Sequence, residues 1–313
     1  MGLFVRRRVG VLLDELPNPL RIFLIGANMP TLFEAYREDG LLLYDTRKIT
    51  YGLLKSGYLS AVTNWPRLDL RSAQLDPGDP SSWTESAEAD PILGFSVTGA
   101  VAPMVFISGR GCACGSSTSG NVTTFYFIAA TTQTKFYYFD TMRDNGLITG
   151  MKHFREDGVL TFNTSQVPLN IAATATPPAP GPILYPGTTY RGTPYVGATG
   201  SIGPATPGGP PNRLIWVRVD LQAGQEYAAY TNFSRTAALG ANPQNYPFLT
   251  AQQEGAYGVS GGIEFMFCIA ARSTKLPQSR TPVQSYQLYI DVPTDRYPVA
   301  LAIKTSSYPF PFN

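Results

Sequence analysis

Residues able to do acid–base, nucleophilic or metal chemistry are scarce in this chain. The only histidine is His153, so most Ser-His-Asp and Cys-His arrangements lack their base. Three cysteines, Cys112, Cys114 and Cys268, are an odd number and do not complete a disulfide framework. Cys112 and Cys114 stand in Gly111-Cys-Ala-Cys-Gly115. A zinc site needs about four ligands, so this loop holds a metal only with outside help. Otherwise it is a tight stretch of small residues running on through Ser116–Gly120. Cys268 reads as a small buried apolar residue in a strand. Glycoside hydrolysis needs two carboxylates at a defined separation, one tuned as an acid. Asp69, Asp140, Glu226, Glu254 and Glu264 are available for this, but none sits in a recognisable motif. No glycine cluster lies between a strand and a long helix, the arrangement that phosphate and dinucleotide sites need. The reading therefore assigns no catalytic residue, no metal and no cofactor.

The elements that carry these residues follow from composition. Among 313 residues, 30 are glycine and 27 proline, both breakers of helix interiors, and 18 tyrosines and 17 phenylalanines suit pleated sheets. Apolar residues make up 43% and charged ones 15%, which argues against a helical bundle, a coiled coil and a disordered chain. Twenty-four basic residues face 22 acidic ones, without the basic surplus that phosphate neutralisation demands, so no nucleic-acid partner is expected. The densest basic run, Arg6–Arg8, precedes apolar Val9–Leu13, but Asp14 and Glu15 interrupt it after five residues. A secretion signal needs roughly 7–15 apolar residues, and a bilayer span about 20. Neither is present, so a soluble chain without membrane insertion is expected.

An all-β fold is expected. Val122–Ile128 and Lys135–Asp140 read as an aromatic-rich hairpin. Arg213–Leu221 alternates Leu214, Trp216 and Arg218 against Ile215, Val217 and Val219, and Ile263–Ala271 puts Ile263, Phe265, Phe267 and Ile269 on one face. Tyr286–Val292 and Val299–Lys304 read as the last strands, while Val11–Glu15 and Ser234–Leu239 could each hold a helical turn or two. Between Pro177 and Pro211 ten prolines and eight glycines accompany a single charge, Arg191. This favours an extended linker or an arm lying across a neighbour. The expected organisation is an N-terminal β-sandwich-like part over 1–176, the Pro/Gly-rich arm over 177–211, and a C-terminal β-sandwich or jelly-roll domain over 212–313. The apolar ending Tyr308-Pro-Phe-Pro-Phe-Asn313 should dock on a surface of this chain or of another subunit.

One repeat stands out. Tyr36-Arg-Glu-Asp-Gly-Leu-Leu-Leu-Tyr-Asp-Thr46 recurs 118 residues later as Phe154-Arg-Glu-Asp-Gly-Val-Leu-Thr-Phe-Asn-Thr164. Each copy reads as a hairpin whose charged turn uses glycine for positive φ, with the Glu-Asp pairs as solvated turn residues. The second copy lies in Asn145-Gly-Leu-Ile-Thr-Gly-Met-Lys-His-Phe-Arg-Glu-Asp-Gly-Val-Leu-Thr-Phe-Asn-Thr164, followed by Val167-Pro-Leu-Asn-Ile171. This stretch resembles the Gly-Leu-x-Val-aromatic-Asn-x-x-Gly-x-Leu-x-Phe-Asp-Ser … Pro-Leu-x-Ile pattern of small all-β tail proteins of long-tailed bacteriophages. Asn18-Pro-Leu-Arg-Ile22 resembles its Pro-Leu-Arg-Ile element. Met151-Lys-His153 departs from the usual aliphatic strand start, and the last hundred residues carry no such likeness.

The resemblance implies a structural protein of a phage tail tip or tail fibre that takes part in host receptor recognition. Its implied partners are other tail-tip proteins, two further copies of itself in a homotrimer, and a protein or polysaccharide receptor on the host. The implied location is the virion, after synthesis in the host cytoplasm. The alternatives are a passive tail or baseplate adaptor and, last, a polysaccharide depolymerase. If the C-terminal domain meets a receptor, aromatic positions in its loops are the candidates for contact: Tyr227, Tyr230, Phe233, Tyr246 and Tyr257.

Overall fold

Apolar–polar alternation and closely spaced aromatics produce strands almost throughout. The computed structural model describes residues 48–146, 150–155, 157–202, 213–241, 248–277 and 288–313, with the backbone of three strands before residue 48. Among them the strands are β1 (Phe4–Arg6), β2 (Glu34–Tyr36), β3 (Leu42–Asp45), β4 (Tyr51–Tyr58), β5 (Ser60–Leu70), β6 (Trp83–Thr98), β7 (Met104–Ser108) and β8 (Cys112–Ser119). Then come β9 (Val122–Ile128), β10 (Lys135–Thr141), β11 (Lys152–Phe154), β12 (Leu160–Asn163), β13 (Ala173–Ala175), β14 (Thr199–Ile202), β15 (Arg213–Asp220) and β16 (Tyr227–Thr231). The last six are β17 (Thr236–Ala241), β18 (Phe248–Val259), β19 (Gly262–Ile269), β20 (Thr274–Pro277), β21 (Leu288–Ile290) and β22 (Ala300–Lys304). The only helical pieces among the described residues are two short 3₁₀ turns, Pro80–Ser82 and Thr305–Ser307. The fold is all-β.

Two compact units divide the chain. The first comprises Met1–Leu54, Val101–Pro103 and Phe139–Leu169, and the second Lys55–Ala100, Met104–Tyr138 and Asn170–Asn313. The expected boundaries at 176 and 212 fall inside the second unit and are corrected here. Residues 55–100 and 104–138 do not belong with the N-terminal part, because their strands β5 and β7 pair with β20 and β16 from the C-terminal half.

In the first unit the repeat takes the same form twice. β2 pairs with β3 through Glu34↔Asp45, Ala35↔Tyr44 and Tyr36↔Leu42, with a register shift between Ala35 and Tyr36. β11 pairs with β12 through Lys152↔Asn163, His153↔Phe162 and Phe154↔Leu160, with its shift between His153 and Phe154. Every pair and the bulge recur 118 positions on, so the sequence repeat is a repeat of backbone register as well. In the second copy Gly158, at φ 78°, turns the chain. There its N–H donates to Arg155 O (3.0 Å), while Asp157 lies exposed and accepts from Val159 N (3.2 Å). Glu156 and the tip of the first copy lie outside the described residues.

The second unit is built around two packed sheets. β14, β15, β19, β18, β17 and β21 form one antiparallel sheet in that order. β13, β22 and β16 form the other. β7 bridges them at Ala229↔Ile107 and Gly258↔Ser108. The core between them sets the small residues Ala175, Ala229, Ala300 and Ala302 against bulky Ile215, Val217, Ile263, Phe265, Phe267 and Tyr289. Where β18 crosses β16, a Cβ on Gly258 would stand 2.0 Å from Tyr227 O, so only glycine allows this approach. A further sheet runs β5–β6–β9–β8.

The sandwich expected for the C-terminal region is therefore present, but β13, from before the arm, supplies one of its strands. The arm is also not a free linker. Tyr195 within it is fully buried in the core, and Arg191 exchanges backbone hydrogen bonds with Tyr289 at 2.8 Å each. The hairpin expected between Val122–Ile128 and Lys135–Asp140 does not form, because β6 and β8 occupy both edges of β9. Ser234–Leu239 holds no helical turn, since Leu239 pairs with Thr250 and Tyr289 in the sheet and is buried. Val11–Glu15 lies outside the described residues. The apolar ending docks on its own chain. Ser56 and Phe312 exchange backbone bonds of 2.7 and 3.0 Å, and Tyr137 packs on Tyr308 and Phe310.

At the centre of the second unit Arg235 and Glu254 form a bidentate ion pair, with Nε–Oε2 and Nη2–Oε1 both 2.7 Å and both side chains 1% exposed. Tyr195 Oη donates to the same carboxylate at 2.7 Å, and Arg235 Nη1 donates to Pro293 O at 3.0 Å. Removing one partner strands a buried charge, at a cost of about 3–5 kcal/mol. Arg235→Met should lower urea-unfolding stability by that amount, and adding Glu254→Leu should recover most of it. Equal loss in the single and double variants would contradict this account of the pair.

Candidate functional site

The five aromatic contact candidates do not form one surface. Tyr227 lies on β16, opposite Lys304, and is 2% exposed. Tyr257 lies on β18, is 4% exposed, and its hydroxyl donates to Glu264 Oε2 at 2.6 Å. The expectation that these two occupy exposed loops is corrected. Both sit on strands whose inward faces exclude water, and burial followed by the Glu264 bond pushes the Tyr257 phenol well above its ordinary range. Tyr230 is half-buried, its ring 5.6 Å from that of Phe106. Phe233, in the loop between β16 and β17, is 37% exposed. Tyr246 lies outside the described residues.

Two surface features of the second unit were missed in the sequence. One is a hairpin in the arm. Leu184 N donates to Tyr190 O (2.9 Å), Thr188 N donates to Tyr185 O (3.2 Å), and Gly187 has φ 75°. Tyr185-Pro-Gly-Thr188 thus has proline and glycine where a type II turn places them. The hairpin presents Ile183, Leu184 and Tyr185 side by side, all exposed, with Tyr185 edge-on to Tyr190. Pro-Gly between short apolar runs was the available signal, but the density of proline concealed it. The other feature is a cleft of about 490 Å³ lined by Trp83, Glu85 and Arg272 among others. Trp83 Nε1 donates to Pro77 O at 3.1 Å, which fixes the indole, and Arg272 Nη2 meets Glu85 Oε1 at 3.1 Å. Arg272 has φ 53°, an uncommon value for a non-glycine residue. An indole beside a paired cation and anion can stack a flat ligand and hydrogen-bond its rim. No local pattern brings residues 83 and 272 together.

Four of the five carboxylates weighed for catalysis, Asp140, Glu226, Glu254 and Glu264, bind other groups of the chain. Asp140 is fully buried and accepts from the N–H groups of Val101, Ala102 and Thr141 at 2.8–2.9 Å and from Arg143 at 3.2 Å. Glu226 accepts from Lys135 and from the Ser108 hydroxyl, both at 2.9 Å. Burial raises the Glu226 pKa, but these donors outweigh it and hold the carboxyl below its ordinary value. Glu254 and Glu264 have the partners described above, and Asp69 Oδ1 is buried without one. Among the described residues no group of three or more His, Cys, Asp or Glu side chains could hold a metal ion, and no helix is long and apolar enough to cross a membrane. No protein-family model matches the chain, and no curated protein or solved structure matches it either.

His153, on β11 in the repeated hairpin, has a buried Nδ1 without a hydrogen-bond partner. Desolvation lowers its pKa below the ordinary value of 6.5. The folded state therefore favours the neutral ring. This contribution is complete above about pH 6.5 and is lost as pH falls through the depressed folded value. Carboxylates titrate lower, so the thermal midpoint should fall between pH 7 and 5, and His153→Phe should flatten that window. An unchanged slope in the variant would show that His153 is not its source.

Proposed function

We propose that the chain is a structural component of a bacteriophage tail tip or tail fibre that takes part in host receptor recognition. The observation that carries this reading is the duplicated hairpin, β2–β3 and β11–β12, with the same register and the same bulge in both copies. The second copy is also the stretch whose residues resemble the tail-protein pattern. In this reading the chain assembles as a homotrimer with other tail-tip proteins in the virion after synthesis in the host cytoplasm. It contacts a protein or polysaccharide on the host surface, and its role involves neither nucleic acid nor membrane insertion nor a catalytic step. Phe233 and the arm hairpin Ile183–Tyr185 are the exposed apolar positions assigned to contact. The burial of Tyr227 and Tyr257 favours a second reading, in which the chain is an adaptor without a ligand of its own.

Antibody raised against the recombinant chain, applied to particles purified from cells that carry its gene, should place gold label at the tail tip. Particles that lack the chain overturn the proposal. Light scattering should give three times 34.0 kDa, and a monomer removes the trimer. Recombinant chain should block adsorption of the particles, and a Leu184→Ser, Tyr185→Ser double variant should lose most of that effect while keeping its thermal midpoint. Gold at the tip without any blocking selects the adaptor.

A further inference from the structure

β19 is buried on both faces. Ile263, Phe265 and Phe267 point into the core between the two sheets, while Met266 and Cys268, also fully buried, point the other way. Cys112, the first residue of β8, lies over that second face. A side chain on Gly255 would stand 3.0 Å from Cys112 Cβ and 3.1 Å from its Cα, so the absence of one is what admits the cysteine. Gln253 Nε2 donates to Cys112 Sγ at 3.1 Å and to Ala113 O at 3.1 Å, pinning the start of β8 to β18. In the β18–β19 ladder Gln253 stands directly opposite Cys268, and Gly255 stands opposite Met266. The Cys112 sulfur is therefore held beside the Cys268 side chain. Both are free thiols and fully buried.

We propose that Cys112 and Cys268 are a disulfide-forming pair, closed by thiol–disulfide exchange with a small-molecule disulfide such as oxidised glutathione while the chain folds. The Cys112 thiolate attacks one sulfur of glutathione disulfide, forming a mixed disulfide and releasing one glutathione thiolate. The Cys268 thiolate then displaces the second glutathione and closes the Cys112–Cys268 bond. The protein loses two electrons and two protons, and the glutathione disulfide takes them up and leaves as two thiols. The bond joins β8 to β19, elements far apart in sequence that β18 brings together in the reduced fold, meeting Cys112 at Gln253 and Gly255 and pairing with β19. The timing follows from burial. In the folded protein the neighbouring Cys112, followed by desolvation, pushes the Cys268 thiol well above its ordinary range, and burial followed by the nearby Cys112 pushes half-buried Cys114 up to about 12. Thiols held protonated and out of water exchange slowly, so closure belongs to the folding chain. The inference stands apart from the functional reading above.

Full-length chain refolded in a reduced/oxidised glutathione mixture should show one titratable thiol in denaturant, against three after refolding with dithiothreitol. A non-reducing peptide map should contain a Cys112–Cys268 cross-linked peptide two hydrogens lighter than its parts. The cross-linked form should melt higher by about 5 °C or more. Cys114→Ser should keep the link and Cys268→Ala should lose it. If Cys268→Ala does not fold, the map of the unaltered chain decides. Three free thiols after glutathione refolding, or a link through Cys114, overturns the proposal.

Discussion

The second unit depends on one buried ion pair. Neither Arg235 nor Glu254 has access to water, so every charged atom must find its partner within the protein. The partners come from four places: Arg235 from the approach to β17, Glu254 from β18, Tyr195 from the arm and the Pro293 carbonyl from beyond β21. The guanidinium also lies over the rings of Tyr195, Phe267 and Tyr297. Such a pair adds little net stability over an apolar replacement, but it penalises any arrangement that leaves one member alone. It therefore selects the packing in which the arm crosses the core over the one in which it hangs free.

Around this centre, shape does the remaining selection. Alanines of β13, β16 and β22 face aromatics of β19 and β21, and pairing small side chains with large ones lets the two sheets come close. Gly258 lets β18 cross β16, and Gly255 lets Cys112 settle on the opposite face of the same strand. β18 and β19 are thus central in both directions, covered by β13, β16 and β22 on one side and by the start of β8 on the other. The C-terminal tail is fastened at Ser56 and against Tyr137, which buries Tyr308 and half-buries Phe310 and Phe312.

The first unit is organised differently. It relies on a repeated hairpin and on one buried carboxylate, Asp140, which gathers three backbone N–H groups and an arginine. The hairpin carries the same register and bulge in both copies, and in the proposed reading this repeated unit holds neighbouring tail proteins. The exposed apolar residues of the arm hairpin are in the second unit, so in the proposed reading building and contact fall to different parts of the chain.

By itself the sequence determined the all-β class, the strands with clean alternation and the repeat, because period-two patterning and turn glycines act locally. Ile215 and Val217 of β15 and Ile263, Phe265 and Phe267 of β19 face the core as alternation requires. Tertiary structure alone decided which strands pair. Nothing near Ala173–Ala175 announces that it joins a strand at Ala300–Ala302, and nothing near β9 says that β6 and β8 take both its edges. The misplaced contact residues have the same cause. Tyr227 and Tyr257 are as aromatic as Tyr185, but exposure depends on which sheet covers a side chain, and that is set by partners that lie far away in sequence. The neighbourhood of Cys112 and Cys268 was invisible for this reason too, since it requires β8 to fold onto a ladder whose strands begin more than a hundred residues later.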